Sequence, residues 1–212
     1  PGTARDKSRV LEISGQIWEG EDYVPAIVDH WLADKTGEFT VAEYGGRVMG
    51  FAKFTLLTPE DGWMEGIRVD PAARNLGIGK LITRHFVDKA RSLGLKSLRL
   101  STHVDNRESI HIIEKFGFRS DAGFAYCSRR LGVGGQKGPE RPPAQPVWQA
   151  QPVSPVRPGK VQSLRENDQV VKYVLASEFC RCARGYLPMG WKFQKADARL
   201  LEKVPDYADV YW

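Results

Sequence analysis

Between Trp63 and Gly94 the chain reads WMEGIRVDPAARNLGIGKLITRHFVDKARSLG: an apolar run, a loop with two spaced glycines, and an amphipathic run at helical spacing. A strand, a short loop and a helix in direct succession send the chain back across a sheet. The next strand, SLRLSTH from Ser97 to His103, then completes a β-α-β unit. Upstream the pattern differs. EFTVAEY, Glu38 to Tyr44, is strand-like, Gly45-Gly46 supplies a hairpin turn into RVMGFAKFTLL, and Pro59 to Gly62 makes a second turn into the Trp63 strand. Consecutive hairpins followed by a β-α-β unit predict a mixed α/β (α+β) sheet, not an all-parallel one.

The remaining elements follow from local signals. Asp6 can cap a helix running to about Ile17, with Val10, Ile13 and Ile17 on one stripe. Pro25 suits the first turn of a second helix ending near Asp34. A short helix follows Asn106, and a last strand lies near Gly123 to Arg130. Residues 132–160, GVGGQKGPERPPAQPVWQAQPVSPVRPGK, are too rich in proline and glycine for regular structure and divide 1–131 from 161–212 as a linker. Only Trp148 within it is suited to dock on a domain. Beyond it, Asp168 to Ala183 reads as a helix and GYLPMG as a turn. A region this small is marginal alone, so it is expected to pack on the first without supplying catalytic chemistry.

The net charge of +5 suggests nucleic acid until it is mapped: the linker alone carries four basic residues against one acidic. The excess lies on no patterned face with interleaved aromatics, so nucleic acid is not an expected partner. No apolar run approaches the ~20 residues of a membrane span, and with no charged-then-apolar stretch visible from Pro1 onward no targeting signal is expected. The absence of an initiator methionine is expected of a piece of a longer protein. Three cysteines, Cys127, Cys180 and Cys182, are too few for a disulfide framework and point to a reducing, cytoplasmic compartment. Cys180 and Cys182 lack a second ligand pair, so no metal is expected.

In the glycine loop, Gly77 and Gly79 let backbone N–H groups approach an anion, the following helix N-terminus favours the same charge, and Arg74 adds a permanent cation. The dinucleotide fingerprint fails because Leu81-Ile82 supplies no third glycine, and a Walker loop fails at Gly79-Lys80-Leu81. What remains resembles the acyl-CoA pyrophosphate loop of the GNAT superfamily of N-acetyltransferases, Arg/Gln-x-x-Gly-x-Gly/Ala. NRESIHIIEKFGF, Asn106 to Phe118, is similar to that family's Asn-x-x-Ala/Ser-x-x-Leu-Tyr-x-x-x-Gly-Phe segment, and RVDP is similar to the Val-x-Pro before its loop. The likeness covers roughly Thr3 to Leu131. More loosely, the whole pattern looks like the histidine N-acetyltransferase group, in which a GNAT-like half follows the GNAT domain; residues 161–212 would then begin that half.

The resemblance implies roles. Backbone amides of Arg74, Asn75, Leu76, Gly77, Ile78, Gly79 and Lys80 would hold the pyrophosphate of acetyl-CoA, Ile67 and Val69 would pair with the pantetheine arm, and Asn106 would bond the pantetheine or thioester. Glu65 would be the general base. On an alternating strand Trp63, Glu65, Ile67 and Val69 share one face, which surrounds Glu65 with apolar neighbours that disfavour its charged form. The family's usual acid is a tyrosine, but Ile113 stands at that position, after Ile112. Tyr126 is favoured instead, with His103, Cys127 or water as alternatives, unless the thiolate leaves unaided. Cys127 as an acyl carrier is disfavoured because the family usually transfers directly. His111 reads as a surface residue, and His30 and His85 carry no partner signal. Asp22 and Tyr23 lie where the family selects its acceptor and could meet a cationic or amino-acid substrate, whereas Trp31 fills core.

The expected activity is therefore acetyl transfer from acetyl-CoA to a primary amine, a small amine or amino acid rather than a protein N-terminus. The competing readings are a catalytically silent acyl-CoA-binding module, which Ile113 favours and Glu65 opposes, a protein N-terminal acetyltransferase, and a scaffold acting through the proline-rich linker.

Overall fold

The computed structural model describes residues 1–121, 123, 168–189 and 192–203. They belong to two compact units, Pro1–Asp121 with Tyr186–Lys195, and Ala122–Gly185 with Ala196–Trp212. In the first unit β1 (Glu38–Tyr44), β2 (Arg47–Thr58), β3 (Asp61–Val69) and β4 (Ser97–Arg99) form a sheet in that spatial order. β1–β2 and β2–β3 are antiparallel and β3–β4 is parallel, giving the mixed sheet that the hairpins and crossover require. Gly45 and Gly46 turn the first hairpin at φ +61° and +75°, the left-handed pair that matches strand twist.

One face of the sheet carries α3 (Ile78–Ser92), whose Ile78, Ile82, Phe86 and Ala90 recur at helical spacing against Ala52, Phe54 and Met64. On the other, α1 (Lys7–Ser14) and α2 (Val24–Ala33) bury Val10, Ile13, Val24, Val28 and Trp31 against Phe39, Val48 and Phe51. Gly50 brings α3 close. A Cβ there would lie 2.7 Å from Ile78 Cγ2 and 2.9 Å from the Arg68 carbonyl oxygen.

Several boundaries differ from those the sequence predicts. α1 stops at Ser14: Gly15 caps it, and Ile17 is extended at φ −99° outside it. Asp6 serves the preceding turn, accepting bonds from Thr3 N–H (2.7 Å) and Oγ1 (2.9 Å). β4 ends at Arg99 instead of continuing to His103. The helix read from Asp168 to Ala183 is two, α5 (Asp168–Ala176) and α6 (Glu178–Cys182), because Ser177 accepts a bond from Cys180 N–H at 3.1 Å and starts a new N-terminus. Within GYLPMG, Tyr186–Met189 is a strand, β5, paired antiparallel with β6 (Lys192–Lys195). This hairpin groups with the first unit. α5, α6 and α7 (Ala198–Lys203) lie in the second, where Cys180, Ala183 and Leu201 are buried. The expected last strand and the linker lie outside the described residues.

Candidate active site

The glycine loop leaves β3 through Asp70, which is 5% exposed. The Asp70 carboxylate accepts from Ala72 N–H at 2.8 Å and pairs with Arg9 of α1, so one residue caps the Pro71–Ala73 turn and ties the loop to the first helix. That backbone bond and the Arg9 charge, which outweigh burial, hold the carboxyl well below the usual aspartate range. Gly77 stands at φ +79° as the N-cap of α3, and the helix's first bond runs from Leu81 N–H to Gly77 O at 2.9 Å. The amides of Gly77, Ile78, Gly79 and Lys80 thus precede the intrahelical ladder and point out of the helix start. Arg74 and Leu76 differ from expectation, since their N–H groups turn back to Pro71 O and Ala73 O, both at 3.3 Å. Arg74 therefore contributes its exposed guanidinium rather than its amide. A Cβ on Gly77 would meet nothing within 4 Å, and one on Gly79 only Ile112 Cδ1 at 3.4 Å. That space suits a pyrophosphate. The first-turn amides, the Arg74 cation and the bare glycine surface all fit acetyl-CoA.

β3 does not keep one face along its length. Phe51 pairs with Arg68 and Lys53 with Glu65, so Ala52 alone faces Gly66 and Ile67. This is a bulge, with Gly66 at φ +63°. The shift splits the expected face: Ile67 and Val69 pack toward the α3 core, while Trp63, Glu65 and Arg68 stay on the α1–α2 side. Glu65 consequently lacks the apolar surroundings that unbroken alternation predicts. Its carboxylate accepts from Thr55 Oγ1 at 2.7 Å and pairs with Lys192 Nζ of β6 at 2.8 Å. The hairpin is seated beside it by Phe193, whose ring centroid lies 6.3 Å from that of Trp63, and by Tyr186, whose OH accepts from Arg99 Nη1 at 3.0 Å. The C-terminal hairpin thus places a charged group, Lys192, at the candidate base. Among the described residues, β3–β4 pairing ends at Trp63 with Arg99, just before Glu65, while β3 continues to Val69. The backbone of Ile67 and Val69 lies along that gap.

Asp22 and Tyr23 come to the same face, but Asp22 does not face outward. Its side chain is wholly buried and receives Arg68 Nε at 3.1 Å and Nη2 at 2.8 Å, so Arg68 already satisfies the charge a substrate cation would have sought. The Arg68 guanidinium lies 4.6 Å from the Trp18 ring centroid and 5.4 Å from that of Tyr23. Burial pushes the Tyr23 phenol up, Arg68 opposes this, and Glu65 and Asp22 reinforce it. Trp18 is 61% exposed at φ +47° and Glu19 follows at φ +58°, a strained turn at the edge of the cluster. Arg68, Thr55 and Lys192 escape sequence reasoning because their partners are remote in the chain. Gly66, an isolated glycine inside a strand pattern, was the available signal for the bulge.

The family model described as the acetyltransferase (GNAT) family matches residues 8–118, more than half of the chain. The chain belongs to this family. It is 31% identical over 121 residues to the N-alpha-acetyltransferase RimI of Mycobacterium tuberculosis, covering 55% of this chain and 75% of that protein. It is 30% identical over 124 residues to a mycothiol acetyltransferase of Thermomonospora curvata, covering 54% of this chain but 41% of that enzyme. The solved structure of Ard1 from Thermoplasma volcanium superposes at a TM-score of 0.53 with 25% identity, over 57% of this chain and 81% of Ard1.

Other GNAT positions are placed as follows. Asn106 caps α4 (Arg107–Glu114), its Oδ1 accepting from Ser109 N–H at 3.2 Å, so a bond to a pantetheine would come from its amide nitrogen. Ile112 and Ile113 of α4 are half-buried. His103 is 73% exposed beside Asp105, and His85 lies 2.5 Å from Glu38, a partner its sequence surroundings did not announce. Tyr126 and Cys127 lie outside the described residues. Among the described residues, no helix is long and apolar enough to cross a membrane, and no three metal-ligating side chains gather.

Proposed function

We propose that this GNAT chain moves an acetyl group from acetyl-CoA to a primary amine, a small amine or free amino acid, in a cytoplasmic setting. The observation that supports it most is the pairing of Glu65 with a primary ammonium, Lys192 Nζ, at the point where β3 and β4 part. A carboxylate that binds an ammonium there is placed to deprotonate one. At neutral pH an alkyl amine with pKa near ~10 is nucleophilic in roughly one molecule per thousand, so a base in the site recovers about 4 kcal/mol.

The Gly77–Lys80 amides and Arg74 would hold the pyrophosphate, the Ile67 and Val69 backbone would receive the pantetheine arm, and Asn106 would donate to it. Bound acetyl-CoA supplies an activated thioester. Glu65 takes the ammonium proton, directly or through one water, and the amine nitrogen is then free to attack. Tyr126 remains the favoured donor to the leaving thiolate, with His103 next. Asp22 orients Arg68 and through it Trp18 and Tyr23, and we assign these residues to the acceptor side. The names of the relatives, an N-alpha-acetyltransferase and a mycothiol acetyltransferase, span a peptide-like and a small-molecule acceptor.

Thiol release from acetyl-CoA across a panel of amino acids, small diamines, amino sugars and peptides with free N-termini tests the reading. Turnover with a small amine or amino acid supports it. Turnover with peptides alone moves the acceptor to protein N-termini. Tight acetyl-CoA binding without release for any amine leaves a silent binding module.

A further inference from the structure

We propose that Lys192 is itself an acceptor, so that the chain acetylates its own β5–β6 hairpin before it serves an external amine. The proposal rests on Glu65 acting as the base. Other lysines paired among the described residues meet carboxylates away from the β3–β4 gap: Lys7 with Asp29, Lys53 with Asp34, Lys89 with Glu38 and Lys96 with Glu60. Lys192 alone among these reaches the candidate base, 2.8 Å from Glu65 Oε1, with one third of its side chain exposed. Two further contacts hold it there, Phe193 against Trp63 and Tyr186 against Arg99. An amine pinned beside the base by its neighbours has already lost the freedom a diffusing amine must lose, and such positioning is worth several orders of magnitude in effective concentration.

The step balances without any reagent beyond the acyl thioester. Glu65 accepts a proton from the Lys192 ammonium, and the freed Nζ lone pair attacks the thioester carbonyl carbon. The C–N bond forms as the C–S bond breaks, the CoA thiolate takes up the proton that Glu65 held, and the second proton lost by the acylated nitrogen passes to water. The product Nζ is a neutral amide. It no longer pairs with the carboxylate, so Glu65 becomes available to an incoming ammonium while the ring contacts keep the hairpin seated.

The test uses the full chain, incubated with acetyl-CoA and no added amine, with acetylation read site by site by mass spectrometry. Lys195, exposed on the same hairpin and turned from Glu65 by its place in the strand, reports background chemical acetylation. Lys192 should be labelled about 10²-fold faster than Lys195, and Glu65→Gln should slow Lys192 roughly 10²–10³-fold while leaving Lys195 unchanged. Circular dichroism establishes that the variant is folded, and Lys192→Arg should abolish the fast label. Equal labelling of Lys192 and Lys195 overturns the inference. If external amines still release thiol in that same preparation, the self-acetylation idea fails alone. If they do not, the acetyltransferase reading falls with it.

Discussion

Gly66 abuts the outer edge of the Trp31 indole, at Cη2. A Cβ built on Gly66 would stand 3.1 Å from Trp31 Cζ2 and Cζ3 and closer still to Cη2, at a backbone φ of +63°. The α2 tryptophan and the β3 bulge therefore fix each other, and the bulge sends Glu65 and Ile67 to opposite faces. Gly66→Ala should cost about 1–3 kcal/mol for overpacking and a further ~1–2 kcal/mol for the left-handed backbone. Denaturant melts of Gly66→Ala with and without Trp31→Phe check this. The second change should recover part of the packing cost and none of the backbone cost, and unchanged stability in the single variant would show that the bulge is not braced.

At the anion loop, Gly77→Val and Gly79→Val should lose acetyl-CoA affinity while remaining folded, because their side chains would fill space that the protein leaves open. Gly79→Val is the cleaner probe, since Gly77 also carries a positive φ. Arg74→Ala should weaken binding, more so at low salt where its charge is less screened. Calorimetry giving wild-type affinity in the folded glycine variants would remove the cradle from the site.

Glu65→Gln preserves shape and removes basicity. Turnover should fall roughly 10²–10³-fold with acetyl-CoA affinity nearly intact. The deficit should shrink as pH approaches the pKa of the acceptor, because free amine needs no base. An α-amino acceptor near ~8 should therefore recover at lower pH than a lysine-like amine near ~10.4. Superimposable pH–rate profiles for the two proteins would place the base elsewhere.

Acid should weaken the first unit through two carboxylates besides Asp70. Burial opposes the charge of Glu38, yet bonds from Lys89, Thr40 and His85 hold its pKa at about 2. Burial likewise opposes Asp34, and Lys53 with Thr36 holds it lower still. Both folded values lie below the ordinary ~4 of free carboxylates. Their stabilisation is thus complete above that value and is lost as pH falls through it toward about 2. Glu38→Gln should flatten this acid limb while lowering stability at neutral pH. Asp34→Asn should cost about 3–5 kcal/mol at neutral pH because it strands the buried Lys53 ammonium. Urea melts across the acid range measure both.

What the sequence made legible was local. The span of β1 matches its apolar alternation and the Gly45-Gly46 turn, and the Arg74–Gly79 loop announced itself through residues adjacent in the chain. Register was not legible. The change of face at Gly66 depends on how β2 and β3 align, and the pairs Asp22–Arg68 and Glu65–Lys192 join residues far apart in sequence. Pro188 explains another difference. A proline inside a short apolar run reads as a turn, yet a two-stranded ribbon leaves room for a residue without an N–H, and here it stands opposite Phe193.

Among the described residues, the parting of β3 from β4 leaves the β4-side edge of β3 beyond Trp63 without a ladder partner. An extended arm lying along Ile67 and Val69 would act as that partner, so part of the cohesion of the fold would arrive with the acyl donor rather than with the polypeptide. At a hundred times its dissociation constant a ligand adds about 2.7 kcal/mol to the folded state. A chain that took up its donor this way would gain or lose resistance to unfolding and proteolysis with the supply of acetyl-CoA.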